Sequence, residues 1–169
     1  MKKAVMIIPS REFRDEELME TKNILEKNSI EVKVASTTLE PIEGMLGAKA
    51  RPDILITDIK VKDFAAIIFV GGSGASQYYD DPLAHKLAQE AVALNKIVAA
   101  ICIAPVTLAR AGILKGRRAT VSSYEAGDIK SEGANYTARA VEKDGNIITA
   151  SGPTAAKAFA EAIVEALQK

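Results

Sequence analysis

Short runs of unbroken apolar residues alternate along the chain with stretches in which apolar positions recur every three or four residues. The first run, Ala4 to Ile8, ends at Pro9, and from Glu16 to Asn28 the apolar Leu18, Ile24 and Leu25 keep helical spacing. A strand followed by a helix is expected there. Ile30 to Ala35 alternates with period two, as a strand with one wetter face does. Ser36 to Lys62 is less regular: Gly44 and Gly47 punctuate it, Pro52 breaks it, and Ile54 to Asp58 reads as a short strand.

Ala65 to Val70 is apolar throughout and stops at Gly71-Gly72-Ser73-Gly74. A helix is expected from about Asp81 to Leu94, burying Leu83, Leu87, Ala91 and Leu94. Ile97 to Ile101 is again wholly apolar and ends at Cys102. Ala104-Pro105 opens another helical stretch, with proline where its missing N–H costs nothing and Gly112 near the stop. Ala138 to Glu142 and Ile147 to Ala150 flank Lys143-Asp144-Gly145-Asn146, a hairpin signal with Asp-Gly at the turn. A last helix is expected from about Thr154 to Leu167, with Ala155, Ala158, Phe159, Ala162, Ile163 and Ala166 on one face. Strands apolar on both faces and separated by helices require a parallel sheet covered on both sides. The expected fold class is therefore α/β: three layers, a mainly parallel sheet and a C-terminal β-hairpin.

Length and composition narrow this picture. At 169 residues the chain fits a single domain, residues 1–169, and its 48% apolar and 26% charged residues are ordinary for a globular protein. The 22 basic and 22 acidic residues cancel, leaving no field to attract nucleic acid or an anionic membrane. The apolar run at the start is too short for a signal peptide or a membrane span. The single cysteine excludes an internal disulfide, and a cytoplasmic location is expected. One cysteine and one histidine do not assemble a zinc site, so no metal is expected. The glycine-rich stretch after Val70 lacks the Lys-Ser/Thr of a phosphate loop, which argues against a nucleotide and leaves no cofactor implied.

In open α/β sheets, sites form at the carboxyl ends of strands. Three such ends carry candidate chemistry: Asp15, Glu16 and Glu17 after the first run, Gly71-Gly72 after the third, and Cys102 after the fourth. A thiol at a helix N-terminus feels the positive end of the dipole, which favours the thiolate and lowers its pKa. Each feature also has a plain structural reading. A lone cysteine after a buried strand can be inert core, acidic residues in a first turn complement the helix dipole, and paired glycines turn a chain. His85 lies mid-helix and reads as a surface residue.

Taken together, Ile97-Val-Ala-Ala-Ile-Cys-Ile-Ala-Pro105, Phe69-Val-Gly-Gly72 before it and Val141-Glu-Lys-Asp-Gly-Asn-Ile-Ile-Thr-Ala-Ser-Gly-Pro153 after it resemble the DJ/ThiJ/PfpI superfamily, closest to its parkinsonism-associated deglycase branch. The resemblance implies a flavodoxin-like sandwich, a nucleophilic and oxidisable cysteine at Cys102, and a glutamate hydrogen-bonded to it at Glu17, with Glu16 as the fallback. It also implies backbone donors at Gly71, Gly72 and Ile103, and a homodimer. The stretch Phe13 to Met19 offers apolar residues for that contact.

One departure matters. The intracellular-peptidase branch has a histidine after the cysteine, where this chain has Ile103, and the deglycase branch often has one in the segment corresponding to Ala119 to Tyr124, which has none here. Without a base and its orienter a peptide bond is a poor substrate. The expected activity is therefore a cofactor-independent, glyoxalase- or deglycase-like reaction on a small reactive aldehyde or a glycated adduct. The alternatives are a non-enzymatic oxidative-stress sensor or chaperone acting through Cys102 sulfinate and, less favoured, a PfpI-type cysteine peptidase.

Overall fold

A strand buries every residue only when both its faces are covered, and this is the state of Ala66–Phe69 and Ile97–Ile101. The computed structural model describes residues Met1–Lys169. Its elements are β1 (Lys3–Ile7), α1 (Asp15–Lys27), β2 (Glu31–Ser36), β3 (Ile42–Glu43), β4 (Lys49–Ala50), β5 (Ile54–Leu55), β6 (Ala66–Phe69), α2 (Pro82–Ala93), β7 (Ile97–Ile101), α3 (Pro105–Arg110), β8 (Arg118–Ala119), α4 (Ala126–Ser131), β9 (Asn135–Tyr136), β10 (Val141–Asp144), β11 (Ile147–Ala150) and α5 (Ala156–Leu167).

The main sheet runs β10-β11-β7-β6-β1-β2-β5, with every pairing parallel except β10 with β11. Its central order, β2-β1-β6-β7-β11, is the doubly wound, flavodoxin-like arrangement. Successive side chains of each strand enter different cores, because the side-chain period of a strand is two. Ala4, Met6 and Ile8 join Leu18 and Leu25 of α1 and Phe159 and Ile163 of α5 on one face. Val5 and Ile7 join Leu87 and Ala91 of α2 and Leu108 of α3 on the other. No helix is long and apolar enough to cross a membrane.

Several expectations shift at their edges. Ile54 to Asp58 is a strand only over Ile54–Leu55 before tightening into a single 3-10 turn. The hairpin loop is Gly145-Asn146, with Asp144 still paired to Ile147, so Asp144 closes the strand rather than sitting in the turn. Gly145, at φ 61°, occupies the first loop position, where glycine is favoured. Leu94 lies one residue past the end of α2 and is 45% exposed. On α5 the buried stripe is Ala156, Phe159, Ala160, Ile163, Val164 and Leu167, leaving Ala158 exposed. Alanine gains little from burial, so an alanine-rich helix does not declare its phase.

Candidate active site

The carboxyl ends of β1, β6 and β7 converge, and the loops that leave them bring Glu17, Gly71, Gly72 and Cys102 together. Cys102 follows β7 directly and has a φ of 66°, a left-handed conformation that costs a non-glycine residue about 1–2 kcal/mol. Backbone bonds on both sides hold it there: its N–H donates to Ala150 O at 3.0 Å, and its carbonyl accepts from Ser122 N–H at 2.8 Å. The turn lifts the side chain out of the sheet, where it is partly exposed, and the N–H groups of Gly72 and Ile103 favour the ionised form of the sulfur.

Glu17 stands in the first turn of α1 on the face that also buries Leu18, Thr21 and Leu25. An acidic residue on the inward stripe of a helix is the one signal in the sequence that separates it from Glu16. Its carboxyl is fully buried; Oε1 accepts from Gly71 N–H at 2.9 Å, and the group interacts with the Cys102 thiol. Oε2 is buried without a well-aligned hydrogen bond. Glu16 points away into a bidentate pair with Arg14, at 2.9 and 3.0 Å, and is not a site glutamate. Asp15 serves the fold instead, since its carboxylate accepts from the N–H groups of Leu46 and Ala48 and ties the β3–β4 loop to α1.

The glycines do more than turn the chain. A Cβ on Gly71 would lie 2.4 Å from Glu17 Oε1 and 2.5 Å from Cys102 Cβ, so glutamate and cysteine meet only because this residue has no side chain. Gly72 has a φ of 105°, and a Cβ there would strike the backbone of Glu12, Phe13 and Arg14. Gly71→Ala is therefore expected to push Glu17 away from Cys102 and to cost about 1–3 kcal/mol of stability. Urea unfolding, together with the rate of Cys102 alkylation, checks this; wild-type values in both would show that the close approach is unimportant.

Two expectations about these groups are corrected. The N–H of Gly71 is taken by Glu17, so it is not a donor for a bound oxygen, whereas those of Gly72 and Ile103 converge on the sulfur. The Cys102 thiol is also not acidified by a helix. The helix begins three residues later at Pro105 and is six residues long, too short and too distant to outweigh burial. Burial, reinforced by the charge of Glu17, pushes the Cys102 pKa up to about 12 against the opposing pull of the two N–H groups. Burial likewise raises Glu17 to about 8, although the Gly71 N–H and the thiol favour its ionised form. The pair thus holds both protons at neutral pH, and its first ionisation belongs to the pair rather than to either residue.

No second base stands beside the cysteine. Ile103 fills the adjoining position, and His85 on α2 has its Nε2 2.7 Å from the carbonyl of Tyr79. Ser122 meets Cys102 through its backbone, and Tyr124 is 93% exposed. No cluster of histidine, cysteine and carboxylate side chains suited to a metal ion is present. The sequence pattern does not mark Arg14, whose N–H donates to Gly71 O at 2.9 Å and whose charge acts on both Glu17 and Cys102.

A doubly wound sheet with a cysteine in a strained turn at its carboxyl edge, facing a buried glutamate, defines a class of cysteine-centred α/β proteins. The chain belongs to the DJ-1/PfpI family, whose model matches residues 2–166. It is 31% identical over 168 residues to the glutathione-independent glyoxalase DJR-1.2 of Caenorhabditis elegans, covering 99% of this chain and 89% of that relative. To the deglycase PfpI of Pyrococcus furiosus it is 28% identical over 149 residues, covering 88% and 90%. Among solved structures, the ThiJ/PfpI domain protein from Brachyspira murdochii superposes with a TM-score of 0.96 at 34% identity, covering 98% of this chain and 96% of its own.

Proposed function

We propose that the protein is a cofactor-independent enzyme of carbonyl stress, in which Cys102 adds to an α-oxoaldehyde and Glu17 moves the protons. The observation that carries this reading is the pairing of a thiol, cradled by two backbone N–H groups, with a buried carboxyl that keeps its proton to about pH 8. Once the pair has lost one proton, the thiolate has two N–H donors, while the remaining proton can rest on Glu17 Oε2, which has no donor of its own. A carboxylic acid beside a thiolate is a proton shuttle.

In the proposed reaction the thiolate attacks the aldehyde carbon, and the new oxyanion takes the proton held by Glu17 to give a hemithioacetal, which leaves Glu17 as the carboxylate. Glu17, as carboxylate, then removes the proton from that carbon to form an enediolate and returns it to the neighbouring carbon, while the hydroxyl proton on the first carbon passes to the oxygen on the second. The resulting α-hydroxy thioester is cleaved by water, releasing a hydroxy acid and the thiol. Water is consumed, one carbon is oxidised as its neighbour is reduced, and no external redox partner is needed. The relatives named glyoxalase and deglycase favour this chemistry on a free aldehyde or on its adduct. Hydrolysis of a peptide is disfavoured because no histidine stands by to protonate the leaving amine. The test is consumption of methylglyoxal with equimolar lactate by the purified protein, with casein and peptide amides left intact.

The second reading, a redox sensor, is favoured by the same two N–H groups, which would also hold the oxygens of a Cys102 sulfinate. Normal alkylation of Cys102 without aldehyde turnover would select it.

We place the protein in the cytoplasm as a homodimer. Phe13 cannot take part in the contact, since it is fully buried in its own core, but Met19, Leu39, Met45 and Leu46 are all exposed. Asp15 holds Leu46, and Met19 follows Asp15 by one helical turn, so Met19 and Leu46 lie on one surface. Light scattering at micromolar concentration is expected to give twice the 18.0 kDa chain mass, and Met19→Glu with Leu46→Glu to halve it.

A further inference from the structure

We propose that Arg14 makes the Cys102 site selective for aldehydes that carry a carboxylate or phosphate near the reactive carbonyl. The choice of an aldehyde rests on the proposed function; the recognition of an anion rests on how Arg14 is built into the site.

The backbone of Arg14 is fixed against the loop that cradles the cysteine. Its N–H donates to Gly71 O at 2.9 Å, and Gly72, the next residue, packs on it so tightly that a Cβ would lie 2.4 Å from Arg14 N. The N–H of the same Gly72 favours the ionised form of the Cys102 thiol. The guanidinium is held in one plane by Glu16, with Nε on Oε1 at 2.9 Å and Nη2 on Oε2 at 3.0 Å. That fork leaves Nη1, with two donors, outside any intramolecular hydrogen bond, and the side chain remains 27% exposed. A planar cation held rigidly, with one donor edge free, is suited to a carboxylate or phosphate oxygen.

The other carboxylates near it have hydrogen-bond or ion-pair partners of their own or are protonated. Asp15 is bound by the N–H groups of Leu46 and Ala48, and Glu12 accepts from Ser73 Oγ at 3.0 Å. Glu17 is buried and protonated at neutral pH. Across the site, Asp80 and Asp128 both pair with Arg110, which stacks on Tyr79 with its guanidinium carbon 5.1 Å from the ring centre. Glu125 is left beside Tyr79 as a carboxylate outside an ion pair. Only Glu16 directly opposes Arg14, and of the two it is Arg14 whose charge acts more strongly on Glu17.

Alkylation of Cys102 reads this selectivity without requiring turnover. Iodoacetate and iodoacetamide are nearly alike in size and differ by one negative charge, so the ratio of their rate constants reports the anion preference at the sulfur. Arg14→Gln is expected to lower that ratio roughly two- to fivefold, the scale of one partly solvated charge pair, with Arg14→Lys between it and wild type. Glu16→Gln, which frees the guanidinium, is expected to raise the ratio. Opposite signs from two nearby positions exclude a general disturbance of the fold. A ratio unchanged in Arg14→Gln, or lowered equally by both variants, would overturn the inference. Should the ratio respond as expected while no aldehyde is turned over, anion recognition by Arg14 stands and the enzymatic reading falls.

Discussion

Cys102→Ser is expected to abolish methylglyoxal turnover, and Glu17→Gln to lower kcat by about two orders of magnitude, the usual scale of a lost general acid–base group. Serine in this turn would keep the backbone bonds to Ala150 and Ser122, but its hydroxyl has no base strong enough to ionise it. Glutamine preserves the shape of a protonated Glu17 and its bond from Gly71, yet it cannot pass a proton between adjacent carbons. The wild-type rate is expected to rise with pH through about 8, because the first ionisation of the pair creates the reactive form. Steady-state assays of the three proteins from pH 6 to pH 9 check this. Turnover that persists in Cys102→Ser would remove the cysteine from the mechanism. A peptidase activity that survives purification and vanishes in Cys102→Ser would move the protein to the peptidase reading.

The second large effect is on stability, with the same variant acting in the opposite direction. The carboxyl of Glu17 has an ordinary value of 4.5 and is raised to about 8 in the folded chain. A raised folded-state pKa means that the native state binds this proton more tightly than the unfolded chain does. Its contribution is fully present below about pH 4.5, declines as pH rises, and is lost above about pH 8. Cys102 acts with the same sign but only from about pH 9 upward, between its ordinary value of 9.0 and about 12. Glu17→Gln carries no charge at any of these pH values. It is therefore expected to match wild type near pH 4.5 and to exceed it at pH 8 by an amount on the order of a few kcal/mol. Urea unfolding at pH 5, 7 and 8.5 measures the difference; parallel stability profiles would show that the carboxyl is hydrated rather than buried. A chain that gains stability on losing this carboxyl holds its site at the expense of the fold.

Much of the architecture is legible along the chain because the solvent enforces it. Ala4 to Ile8, Ala65 to Val70 and Ile97 to Ile101 are apolar without interruption, and only a strand between two helical layers can bury such a run. Helix α1 begins and ends within a residue of its expected bounds, since its polar and apolar sides contrast. Where contrast fades, so does legibility. Helix α5 is so rich in alanine that its buried stripe is displaced from the expected one, and Leu94 is apolar yet lies beyond the last turn of α2.

The residues of the site are legible as types at strand ends, and the family resemblance orders them, but their states are not. Glu16 and Glu17 are adjacent and chemically identical; packing of α1 turns one toward Arg14 and seals the other against Gly71 and Cys102. Gly71 reads as a turn, yet its necessity comes from side chains 54 and 31 positions away in the chain. The acidity expected for a thiol after a strand is reversed, because desolvation by burial outweighs a short helix that starts three residues later. Local periodicity records which positions avoid water, and that is enough to set the elements and their layers. Proton affinity depends on how completely distant segments exclude water from one carboxyl and one thiol, and only the tertiary structure decides that.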